Sequence, residues 1–203
     1  MLSDRVYSGV IAAAWLIWPG AAAAHIGVHG SDGFVTGALR PVMDFSQLLA
    51  TISVGLFVGW QNAGNANRAA GAFVAGLVAG LAGAFWSDLS NLPAGLLHGV
   101  AFAGGFLAAL ARPVPVFFAV TLGGAGGLII GLALLPGSES VSEAGFALVG
   151  GFFTVTLIFI YAVFAVNWLR GRASKPWLLL GLRIAGSWIA AIALMMLALT
   201  LRA

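Results

Sequence analysis

The chain has 203 residues, 61% of them hydrophobic and 7% charged, with nine Lys/Arg against six Asp/Glu and a formal net charge of +3. Ordinary globular proteins carry about 25% charged residues, so this chain cannot coat a water-facing surface, and a mean hydropathy of +1.05 puts apolar residues on every side of it. The 29 glycines keep no three-residue period, which excludes collagen; the absence of cysteine excludes disulfides, thiol catalysis and Cys-ligated metal centres; and the positive balance is a few loop arginines with no basic-aromatic patch for nucleic acid.

Residues 1–24 read as an export signal, with Arg5 as a short n-region and a mostly apolar run from Val6 to Trp18. Pro19-Gly20 and then Ala21-Ala22-Ala23-Ala24 form a small-residue cleavage site, and the run is shorter than the roughly 20 residues a span needs. Cleavage after Ala24 is expected, leaving residues 25–41 as a periplasmic segment that starts at His25. His25, His29, Asp32 and the freed α-amine bring enough nitrogen and oxygen donors together for a borderline divalent cation, so this segment is a candidate metal site.

Six apolar segments follow, at 42–60, 69–86, 93–111, 114–135, 144–168 and 177–200, each near the length that crosses a bilayer core. A backbone facing lipid must satisfy its own hydrogen bonds, and runs such as Phe146 to Val166 lack the alternating polarity of a closed barrel. The expected fold is an all-α integral membrane protein, a six-helix transmembrane bundle over 42–203 after a signal peptide. With the mature N-terminus outside, the inner connections carry Arg68, Arg112, and Arg170 with Arg172 and Lys175, while the outer ones carry Asp88 and then Glu139 with Glu143. This satisfies the positive-inside rule and points to a bacterial inner membrane.

Gly76-x-x-x-Gly80 and Gly127-x-x-x-Gly131 are spaced to seat neighbouring helices closely. The run Gly123-Gly124-Ala125-Gly126-Gly127 weakens a helix enough to suggest an unwound stretch beside a cavity.

Polar groups inside a bilayer are costly and so informative. Arg40, Asp44, Gln47 and Thr51 are spaced four, three and four apart and, on a continuous helix, line one stripe. That stripe reads as an external vestibule, with Arg40 and Asp44 also able to neutralise each other as an i, i+4 clasp. His98 suits an interhelical hydrogen bond or the lining of a permeation path, and Arg183 suits a side chain snorkelling to the headgroups. No phosphate loop, nucleophile elbow, intramembrane carboxylate pair or His-Glu-x-x-His helix is present, so no enzymatic activity is expected.

The stretch Gly33-Phe34-Val35-Thr36-Gly37-Ala38-Leu39-Arg40-Pro41, with Leu48-Leu49-Ala50 and Val54-Gly55-Leu56, resembles the HupE/UreJ family of hydrogenase and urease accessory membrane proteins. The family pattern is Gly-Phe-x-x-Gly-x-x-His-Pro-x-x-Gly-x-Asp-His-x-x-x-Met-x-x-Val-Gly. The resemblance implies a six-span fold behind a signal peptide and uptake of nickel or cobalt, taken as a transient substrate rather than a resident cofactor. The polar positions depart from the pattern: its first histidine falls on Arg40, its inner glycine on Asp44, its Asp-His pair on Ser46 and Gln47, and its methionine on Thr51. A later histidine-rich family motif would fall near Gly123 to Gly131, where this chain has none. A permanent positive charge at Arg40 repels a dication unless Asp44 compensates it.

The reading is a permease, or a permease-derived accessory protein, for nickel- or cobalt-type metal uptake. The substrate pathway is placed at Arg40, Asp44, Gln47, Thr51 and His98, with a metal site at His25, His29 and Asp32. Two alternatives stay open: a carrier for a small anion or polar solute drawn by Arg40, and a non-transporting membrane subunit. The expected partners are the lipid bilayer, a small solute or metal ion, and either further copies of the chain or a larger membrane complex.

Overall fold

The computed structural model describes residues 32–86, 94–134, 141–172 and 176–202, and every regular element among them is helical. The helices are α1 (Asp32–Met43), α2 (Phe45–Gly59), α3 (Ala63–Trp86), α4 (Ala94–Leu110), α5 (Val116–Leu132), α6 (Val141–Gly171) and α7 (Pro176–Thr200). Three segments are long and apolar enough to cross a membrane: Ala63–Ala84, Ala144–Gly171 and Trp177–Thr200. α1 and α2 pass the same test together but meet at a 74° bend, and α4 and α5 are shorter apolar helices. At 17 residues each, α4 and α5 are about 25 Å long at 1.5 Å per residue.

The six helices α2 to α7 alternate in direction. Gln61, at the end of α2, meets Val114 in the α4–α5 connection, and Arg170, at the end of α6, meets Gly59, so these three ends lie together. At the opposite end Ser46 of α2 meets His98 of α4, and Gln47 meets Ala133 just past α5. α2 is the central helix, buried at nearly every position from Leu49 to Gly59 and packed on α4, α5 and α6. Its side chains join Phe73, Leu77, Ile130 and Val155 in the core, where Phe73 stacks on Phe159 with ring centroids 4.0 Å apart. The outside is apolar: Phe117, Phe118, Phe146, Phe153, Phe164 and Trp188 are all exposed. Such a surface is unstable in water and natural in lipid.

Glycine sets the closest approach. Gly76 and Gly80 of α3 face α5, and Gly123, Gly127 and Gly131 of α5 face α3 in parallel register. A Cβ at Gly127 would fall on the carbonyl of Phe73, and one at Gly76 on the carbonyl of Gly124. The two small-residue pairs expected to seat helices are therefore partners of each other. The glycine run from Gly123 is not unwound; it lies within α5 and forms this contact, because tight packing against α3 offsets its weak helix propensity. Gly105 and Gly186 seat α4 on α7 in the same manner, and Gly37 and Gly150 seat α1 on α6.

α4 ends on Ala111, whose φ of 53° is left-handed, and its amide returns to Leu107 and Ala108 carbonyls. Pro113 then prevents continuation. Arg183 donates from Nε to the Ala109 carbonyl at 3.0 Å, so it holds the carbonyl end of α4, where a cation is favoured, rather than serving only as a headgroup contact.

Candidate functional site

The helical stripe expected through Arg40 and Asp44 is broken. Asp44 leaves the helix, with φ −82° and ψ 100°, and its carboxylate accepts from the amides of Ser46 (2.9 Å) and Gln47 (3.3 Å) as the N-cap of α2. Capping two otherwise unpaired amides is the ordinary gain from Asp at this position. Pro41, inside α1, lacks the amide that would continue the ladder there, and the chain turns within three residues of it. No ion pair joins Arg40 to Asp44 among the described residues. Arg40 instead lies half-buried in the last turn of α1, ahead of the bend.

Past the bend, Gln47, Thr51 and His98 are buried, at 1%, 0% and 4% exposure. Gln47 donates from Nε2 to the Ala133 carbonyl at 2.9 Å, closing the free carbonyl end of α5. Thr51 donates to the Gln47 carbonyl at 2.7 Å, so its hydroxyl is spent on its own helix. His98 Nε2 is 3.1 Å from Ser46 Oγ. Ser46 therefore links the Asp44 carboxylate, through its amide, to the His98 ring, through its hydroxyl.

Two polar atoms in this cluster have no partner although both are buried: Gln47 Oε1 and His98 Nδ1. An unmade hydrogen bond at a buried group costs about 1–3 kcal/mol. Two such groups lie one residue and one hydrogen bond away from Ser46. The cluster offers an amide oxygen, an imidazole nitrogen and a nearby carboxylate, all at the end of the bundle where α2 and α4 begin and α5 ends.

The structure thus brings together Asp44, Gln47, Thr51 and His98, while Arg40 stands apart on α1. Ser46 was not among the sequence candidates. Two residues from Asp44 it faces away from the expected stripe, and only the cap and the long-range bond to His98 give it a role. His25 and His29 lie outside the described residues, and Asp32 is the first residue of α1. Among the described residues no group of three or more His, Asp or Glu side chains is arranged to hold a metal ion.

A model of the family described as HupE / UreJ protein matches residues 13–196, most of the chain. No curated protein and no solved structure matches it.

Proposed function

The chain belongs to the HupE / UreJ family, and on that premise we propose that it is an inner-membrane permease that admits a small solute through the cluster at Asp44, Ser46, Gln47 and His98. The observation that carries this reading is the pair of buried, unpartnered atoms, Gln47 Oε1 and His98 Nδ1. Ionisable and polar groups held inside a membrane bundle mark solute paths far more often than structure alone demands. The fold is read as six crossings by α2 to α7, with the cluster on the periplasmic side and the Arg112 and Arg170 end inside. α2, α4 and α5 are each shorter than a full bilayer core, which lowers the cluster below the outer surface.

Nickel or cobalt is the first candidate solute, since the family is associated with those metals. An imidazole nitrogen, an amide oxygen and a carboxylate are acceptable donors for a borderline dication. In that case His98 donates its Nε2–H to Ser46 Oγ, leaving the Nδ1 lone pair free. A small anion or neutral polar solute is the second reading. The positive Arg40 at the bend favours it.

Uptake of radioactive nickel and cobalt into cells with and without the protein tests the first reading. Saturable accumulation that is lost on His98→Ala supports it. Accumulation identical with and without the protein overturns it, and competition by anions then tests the second.

A further inference from the structure

We propose that Arg170 is the latch of an inner gate, holding the C-terminal end of α2 against α6 and the α4–α5 connection until solute passes. The inference rests on the transport reading above. Arg170 donates from Nη1 to the Gly59 carbonyl at 3.0 Å and the Gln61 carbonyl at 3.4 Å, and its guanidinium lies 5.5 Å from the centre of the Trp60 ring. Gln61, itself 2% exposed, accepts from the Val114 amide at 2.9 Å and donates to the Phe57 carbonyl, while Asn65 donates to the Val114 carbonyl. One short segment thus ties together three elements at a single end of the bundle.

This end is opposite to the polar cluster on the same helix. Between the two, α2 buries Val54, Phe57 and Val58 wholly, and the one polar side chain among them, Ser53, donates to the Ala50 carbonyl of its own helix at 2.8 Å, so no free polar group of α2 leads from the cluster to the Arg170 end. The seam that would have to part is close-packed through glycine. Gly55 and Gly59 lie directly on α6, where the side chains of Ala162 and Val166 fill the hollows the two glycines leave. Small residues let the two backbones approach closely, and Arg170 supplies the polar tie across this seam.

The tie is also reversible. The carbonyls it holds are at a helix end, where water replaces an arginine without loss of satisfaction. Trp60 Nε1 is buried without a partner in the closed arrangement, so parting the seam relieves an unpaired donor.

The chain has no cysteine, so a single Ser53→Cys reporter in α2, between the cluster and the Arg170 end, is unambiguous. Inverted membrane vesicles expose the Arg170 side to a membrane-impermeant thiol reagent. Arg170→Ala is expected to raise the rate of modification at least tenfold, and Gln61→Met, which frees Val114 while keeping every charge, to raise it severalfold. Arg112→Ala removes the same charge from the same end without touching the latch and is expected to leave the rate unchanged. Unchanged rates in both latch variants, each folded by its melting profile, overturn the proposal, as does an equal rise in Arg112→Ala. The reagent needs no solute: retained uptake with unchanged access rejects the latch alone, while raised access without uptake of any solute supports the latch and rejects the transport reading.

Discussion

Ser46 and His98 are 52 positions apart in sequence, yet their side chains meet at 3.1 Å and join the first turns of α2 and α4. The bond also orients a ring whose second nitrogen is buried and unpartnered. Ser46→Ala removes the orienting hydroxyl and leaves the imidazole wholly unpaired, at a cost of about 1–2 kcal/mol. The expected outcome is a thermal midpoint a few degrees lower in detergent, with solute uptake reduced. His98→Ala removes the ring and is expected to abolish uptake while lowering stability by a similar amount. A His98→Ala protein with normal uptake removes the cluster from the solute path.

Asp44 has two separable roles, a cap and a charge. Asp44→Ala should cost about 1 kcal/mol through loss of the N-cap, whereas Asp44→Asn keeps a capping oxygen and should leave stability within a few tenths of that of the parent. If the solute is a cation, both variants slow uptake, because the carboxylate is gone from both. Normal uptake by Asp44→Asn points instead to an anion or neutral solute. Comparing melting curves with initial uptake rates resolves the two roles.

The α3–α5 contact has no room for a side chain. Gly127→Ala places a methyl on the Phe73 carbonyl and is expected to destabilise the bundle by about 3 kcal/mol or more, at the upper end of overpacking costs. Gly71, on the partner helix α3, faces open space, and Gly71→Ala should stabilise it by roughly 0.5–1 kcal/mol through helix propensity. Opposite signs for these two substitutions, read from unfolding in mixed micelles, are the check.

Ala111 holds a left-handed backbone at the end of α4. Strain there is about 1 kcal/mol for a residue with a Cβ, and the larger unfolded-state entropy of glycine offsets part of it. Ala111→Gly is expected to raise stability by roughly 0.5 kcal/mol, with unchanged helical content by circular dichroism; a lower melting temperature argues against the strained cap.

The alternation of α2 to α7 predicts sidedness. Reporter fusions after Arg112 and after Arg172 should report the cytoplasm, and a fusion after Leu134 the periplasm. A reporter active on the same side at Leu134 and Arg172 contradicts the six-crossing reading.

Much of the helical layout was legible in the chain itself. The apolar segments at 69–86, 144–168 and 177–200 match α3, α6 and α7, and those at 93–111 and 114–135 match α4 and α5 with shorter ends. The segment at 42–60 became α2 alone, because the competition between a continuous helix and a cap at Asp44 is decided by about 1 kcal/mol, too little for spacing to settle. The glycine pairs announced close packing, but their choice of each other required α3 and α5 to lie parallel. The contacts of Ser46, Gln61 and Arg170 were likewise invisible, since each joins residues about fifty or more positions apart and Arg170 read only as a loop charge.

Sequence alone determined that this chain is helical, lipid-seeking and related to one membrane family. These properties rest on hydropathy, charge and motif, which are written within a single segment. Which polar atoms meet, which stay unpaired and which carbonyl ends an arginine holds were decided only when the helices packed. Those contacts join residues from 49 to 111 positions apart, and their energies come from burial and geometry that no local pattern contains.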